Sequence, residues 1–184
     1  KNHQGAVARV AAIETKEIEP LVESVMKSKK NPVFVLLDGI TDTRNFGAIL
    51  RSAAAFGVDA IFISNTGSAP LNADVVKTSA GAAFKVPIVK VNHLKDVVYL
   101  LKTYKIPCLG ITEKAKETSY RKDFEGPIAI VFGSEDIGIS NGLLKILDDQ
   151  AKIPMQQSIN SLNVSVACGV IFYEIIRQRG FIKT

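Results

Sequence analysis

The chain has 184 residues, 47% of them hydrophobic, which is enough for one domain with a substantial core and too few for two full ones. Its 23 Lys and Arg against 18 Asp and Glu give a net charge of +5; that suits an anionic partner without requiring one, since a solvated basic surface explains it as well. No run approaches the ~18 consecutive apolar residues of a membrane span and none resembles a signal peptide, so no membrane association is expected.

In chain order, the segment begins at Lys1 rather than Met. Residues 1–15 read as a tail, with an upstream part expected to be missing, and 16–184 as one domain. Helical periodicity predicts helices near 19–28, 45–56, 73–79, 94–104, 141–147 and 162–179. Short β-rich apolar runs predict strands at 33–37, 60–63, 85–89, 107–111, 128–132 and 150–153. This alternation argues an α/β fold, a mostly parallel six-stranded sheet with helices on both faces. Cys108 and Cys168 sit in apolar surroundings without CxxC or CxxH spacing. They read as buried thiols in a reducing, cytoplasmic compartment, and no metal site is expected.

Ligands of such folds gather at the carboxyl ends of the strands. Three polar segments fall there: 38–45, 133–138 and 156–165. A nicotinamide site reads poorly because Gly39 and Gly47 are too far apart for GxGxxG, and no P-loop or GxSxG elbow is present. His3 lies in the tail and His93 away from these loops, so a Ser-His-Asp triad has no base. What remains is a site of Asn45, Arg51, Glu135, Ser161 and Asn163. On an ideal helix Asn45 and Arg51 would lie on flanks ~120° apart. Arg51, amid an apolar helix, must find an anion or reach solvent, and an ion pair with Glu135 is one way to do so. The crowding of amides and hydroxyls over 156–165 reads as a helix start, with Asn160 or Ser161 as cap, or as a ligand-holding turn.

Asn45-Phe-Gly-Ala-Ile-Leu-Arg51, Phe132-Gly-Ser-Glu-Asp-Ile-Gly138 and Ile153-Pro-Met followed by Ser161-Leu-Asn-Val-Ser-Val-Ala167 resemble the three ordered motifs of the SpoU/TrmH family of RNA ribose 2′-O-methyltransferases, members of the SPOUT class. Within it, His3-Gln-Gly-Ala-Val-Ala-Arg-Val10, Lys77-Thr-Ser-Ala-Gly-Ala82 and Tyr173-Glu-Ile-Ile-Arg-Gln-Arg179 are similar to the enzymes that methylate a guanosine of 23S rRNA in the peptidyl-transferase P loop. The resemblance implies a C-terminal trefoil knot and a missing N-terminal RNA-binding domain. It also implies S-adenosylmethionine held by backbone groups of Gly133, Ile153 and Leu162, with Gly110 and Met155 shaping the pocket. It further implies a homodimer in which the helix 164–179 packs on the second subunit and sites draw on both chains.

The family's Arg has been proposed as general base, but a guanidinium pKa above ~12 makes phosphate anchoring and polarisation of the 2′-hydroxyl easier roles for Arg51. Glu135 is then expected to orient Arg51, while Asn45, Ser161 and Asn163 hold the arrangement and the ribose. Lys77, Lys85, Lys90, Arg121 and Lys122 are candidate phosphate contacts. Gln157 departs from the Gly that many members carry; at a positive φ it would cost on the order of 1 kcal/mol. The same motifs would serve methylation of tRNA, or survive in a catalytically silent RNA-binding or ribosome-assembly factor.

Overall fold

A computed structural model describes residues 13–156 and 161–180. Six strands form one wholly parallel sheet: β1 (Val33–Asp38), β2 (Ala60–Ser64), β3 (Ile88–Val91), β4 (Cys108–Ile111), β5 (Ile128–Gly133) and β6 (Asp149–Ala151), in the order β3-β2-β1-β5-β4-β6. The inner strands are apolar at nearly every position because both faces are covered. Along β1, Val33, Val35 and Leu37 enter one core while Phe34 and Leu36 enter the other.

The first core lies under α2 (Thr43–Ala55), α3 (Ala73–Thr78) and α6 (Val164–Gln178), and the second under α1 (Ile18–Ser28), α4 (Leu94–Thr103) and the short α5 (Asn141–Leu144). The expected two-faced α/β architecture is therefore present. From β1 the chain winds outward to β2 and β3, then crosses to the other half, where β5 pairs with β1 and β4 lies between β5 and β6. The winding reverses between β1 and β5, which leaves a crevice at their carboxyl ends.

The third strand lies further along than the predicted 85–89. A 3-10 turn at Ala82–Phe84 precedes it, and the Lys85 and Val86 amides bond back to the Ala82 carbonyl. Sheet pairing resumes only where Ile61 donates to the carbonyl of Pro87. The fifth helix ends before the predicted Leu147, because the Asp148 amide donates to the Cys108 carbonyl and its carboxylate accepts the Cys108 amide. That pairing draws the chain out of the helix and into β6.

The connection from β4 to β5, residues 112–127, runs as a strap over the C-terminal segment. Its Ser119 amide donates to the Lys152 carbonyl, and the Lys152 amide donates to the carbonyl of Glu117. Further on, the Phe124 amide bonds the Gln178 side chain, and the Arg179 guanidinium donates to the carbonyls of Phe124, Gly126 and Asn31. A planar fork of donors suits three converging carbonyls. Phe124, fully buried in the first core, pins the strap from below.

Candidate active site

The carboxyl ends of β4 and β5, the chain after β6 and the start of α6 surround a cleft of about 320 Å³. Three local features shape it. Gly133 ends β5, and the loop behind it folds back so tightly that Ser134 and Gly138 form an antiparallel bridge. A Cβ on Gly133 would fall on the backbone of Gly138 and Ile139, so only glycine fits beneath this loop. On the β1 side, Asp38 accepts the Ser140 amide at 2.8 Å, tying the far end of the loop down.

The second feature is the start of α2, where Asp42 caps the helix by accepting the amides of Arg44 and Asn45 at 2.7 and 2.9 Å. The third is the start of α6. Its cap is Asn163, rather than Asn160 or Ser161, so the helix begins two residues later than predicted. The Asn163 Oδ1 accepts the Ser165 and Val166 amides at 3.0 and 3.4 Å. Asn160 and Gln157 lie outside the described residues.

These three features meet on one carboxylate. Glu135 Oε1 accepts from Asn163 Nδ2 at 2.6 Å, from the Val164 amide at 3.2 Å and from Asn45 Nδ2 at 3.3 Å, while Asn163 Nδ2 also donates to Asn45 Oδ1 at 2.9 Å. Three segments far apart in sequence are thus joined by side-chain amides at the rim of the cleft. Glu135 and Ser161 line it, with Gly133, Ile153, Met155 and Leu162.

Two expected residues stand elsewhere. Gly110 is buried against Leu147 and Ile139, where a Cβ would come within 2.7 Å of the Leu147 Cδ1, so it permits the close approach of the chain before β6 and does not line the cleft. Arg51 is exposed on α2, outside the cleft, and makes no ion pair among the described residues. Glu135 engages the amides of Asn45 and Asn163 in place of the expected Arg51. Lys122 is also withdrawn from the phosphate-contact set: its side chain is only 12% exposed and bridges Glu117 and Asp149.

Thr112, Glu113 and Lys114 after β4 line the cleft without being expected to, and Asp136, Ile137, Val164 and Ala167 of the quoted motifs line it as well. Those after β4 follow a strand end directly, the same signal that located the other loops. The lining divides chemically. Phe132, Ile153, Leu162, Val164 and Ala167 offer apolar walls, whereas Glu113, Glu135 and Asp136 bring carboxylates against the single ammonium of Lys114. A cleft so built takes a ligand with flat or aliphatic parts and a positive centre.

A sequence profile of the SpoU rRNA Methylase family matches residues 32–173. The chain belongs to the SpoU rRNA methylase family. The chain is 40% identical over 178 residues to the 23S rRNA (guanosine-2′-O-)-methyltransferase RlmB of Vibrio parahaemolyticus, covering 97% of this chain and 72% of that one. The RlmB of Pseudomonas aeruginosa is likewise 40% identical, over 96% of this chain and 71% of its own. Among solved structures, the SpoU methyltransferase AviRb from Streptomyces viridochromogenes in complex with AdoMet superposes with a TM-score of 0.77 at 29% identity. That match covers 82% of this chain, which spans only 59% of the AviRb chain. A TrmH/SpoU tRNA modifying enzyme from A. aeolicus gives a TM-score of 0.74 at 27% identity, over 88% of this chain and 84% of that one.

Proposed function

We propose that this SpoU-family chain transfers the methyl group of S-adenosylmethionine to the ribose 2′-oxygen of a guanosine in RNA, with 23S rRNA as the substrate. The observation that carries this reading is the convergence of Asn45, Asn163 and the Val164 amide on Glu135 at the rim of the cleft. All three family motifs contribute to that one cluster.

The cleft fits the cofactor. Its volume and apolar walls suit an adenine and an aliphatic chain, and its excess of carboxylates suits a sulfonium. S-adenosylmethionine held against Gly133, Ile153 and Leu162 would supply an electrophilic methyl group to the ribose 2′-oxygen, its sulfur keeping the C–S bonding pair, with the hydroxyl proton passing to solvent or an RNA phosphate. The chain's own residues hold the reacting groups in line. Orientation of this kind is worth up to ~7–11 kcal/mol. Glu135 keeps one oxygen on its amide donors and has Oε2 without a partner among the described residues, so it can accept a ribose hydroxyl. Ile153, Met155 and Leu162 line the cleft.

Arg51 enters this scheme through a second subunit. Val166, Val170 and Tyr173 form an exposed apolar strip along α6, with Tyr120 beside it, and α2 packs against α6 at the close approach of Ser52 to Gly169. A homodimer formed on that strip buries it and carries Arg51 toward the partner's cleft, where its guanidinium anchors the RNA phosphate. The strap that bonds both Lys152 and the end of α6 supports a C-terminal trefoil knot. In this reading residues 16–184 are the catalytic domain, residues 1–15 lead into it, and the protein works in the cytoplasm.

Calorimetric titration with S-adenosylmethionine tests the site. One saturable event per chain is expected, lost in Leu162→Arg, whose side chain fills the cleft. A folded wild-type chain that binds none would contradict the proposal and favour a silent RNA-binding protein.

A further inference from the structure

Asn163 performs two tasks with one amide group, and the backbone amides of Ser165 and Val166 decide which end performs which. Backbone N–H groups can only donate, so the Ser165 and Val166 amides require the oxygen of the Asn163 side chain to face α6. The Ser165 hydroxyl stands 2.6 Å from that same Oδ1, closer than either amide, and must donate to it. The Asn163 Nδ2 is thereby turned outward to Asn45 Oδ1 and Glu135 Oε1. Because Asn45 Oδ1 accepts, Asn45 Nδ2 is left to donate to Glu135. The side-chain protons therefore run from Ser165 through Asn163 and Asn45 to Glu135, to which the Val164 amide donates separately.

We propose that Ser165 is a positioning residue for methyl transfer, acting through Asn163 on Glu135 and Asn45. A donor to the amide oxygen polarises the amide and strengthens donation from its nitrogen. Ser165 thus tightens the Asn163–Glu135 bond without touching the cleft, whose lining does not include it. Its backbone amide still donates to the capping Asn163 Oδ1 when the side chain is cut back to alanine, so the hydroxyl can be removed while the helix start stays.

This role rests on the methyltransferase reading above, and two readouts separate them. In Ser165→Ala, kcat with S-adenosylmethionine and a 23S rRNA fragment falls by about five- to tenfold, the worth of one neutral hydrogen bond. KM for both substrates stays within about twofold, and Ser165→Thr, which keeps the hydroxyl, restores kcat. In 15N-labelled protein without RNA or cofactor, the Asn163 side-chain amide resonances move in Ser165→Ala and return in Ser165→Thr. An unchanged kcat in Ser165→Ala, a KM that rises with the fall in kcat, failure of threonine to rescue, or unmoved amide resonances in an active protein would each overturn the role of Ser165. A wild-type chain with no turnover, whose Asn163 amide still responds to Ser165→Ala, would overturn the catalytic reading itself and with it the catalytic part of this role.

Discussion

Glu135 holds the site together by accepting, and the consequence is specific. Glu135→Ala leaves the Val164 amide and Asn45 Nδ2 without their acceptor, while Asn163 Nδ2 keeps Asn45 Oδ1; this costs about 1–3 kcal/mol of stability, toward the lower end because Asn163 is exposed. Turnover should fall much further, on the order of 100-fold, since the ribose-holding groups lose their common anchor. Thermal denaturation and initial rates on the same preparation separate the two effects. The thiols make a contrasting pair of residues. Burial pushes Cys108 up to about 12, helped by the nearby Asp148 carboxylate, and burial alone raises Cys168 well above its usual range. Neither presents a thiolate near neutral pH. A disulfide-exchange reagent at pH 8 should therefore label no thiol in the folded protein and two after unfolding; prompt labelling of the native chain would contradict this burial.

At the scale of the element, the Gly133 loop and the strap carry the demands that pattern alone does not show. Gly133→Ala forces a methyl group into the Gly138 backbone, which cannot swing aside as a side chain would. Overpacking of this kind costs about 3 kcal/mol, and the displaced loop should lose cofactor affinity as well, measurable by denaturation and calorimetry. The strap is closed by Lys122 between Asp149 and Glu117. Hydrogen bonds first to Asp149 and then to Glu117 raise the Lys122 pKa above its ordinary 10.5, and the bond from Lys122 lowers Asp149 below 3.8. The stabilising contribution of Lys122 is then complete below pH 10.5 and lost as pH rises through its folded value. That of Asp149 is complete above about pH 3.8 and lost as pH falls through its folded value. Lys122→Met should flatten both limbs of the stability profile; a mutant profile parallel to wild type at both ends would show that the triad contributes nothing. The strand-helix alternation was legible because buried strands and amphipathic helices have different periods. The turn before β3 was not, because Lys85 and Val86 have strand-like composition while their amides are already committed to Ala82.

On the scale of the whole molecule, the order of strands determines what the motifs can do. Asn45, Glu135 and Asn163 were recognisable as polar residues beside strand ends, and the reversal between β1 and β5 is what brings them within hydrogen-bonding distance. Sequence could not reveal that Glu135 binds amides rather than Arg51, since both partners satisfy a carboxylate and only the path of α2 decides between them. Nor could it separate Gly110, which is small for packing, from Gly133, which is small for the loop. The exposed position of Arg51 yields a prediction about assembly. Arg51→Ala and Glu135→Ala chains, each inactive as homodimers, should regain activity when co-refolded, because one of the two clefts in a mixed dimer has both residues intact. Mixtures as inactive as their parents would show that Arg51 serves its own chain.

Methyl transfer to a ribose of RNA leaves a product that can be read nucleoside by nucleoside. The most direct measurement is incubation of the chain with S-adenosylmethionine and a 23S rRNA fragment, in parallel with tRNA, followed by digestion to nucleosides and mass spectrometry. 2′-O-methylguanosine is expected from the rRNA fragment with wild type, and is lost with Asn163→Ala. A chain that binds the cofactor yet leaves every ribose unmethylated, or that methylates a base, would contradict ribose methyl transfer.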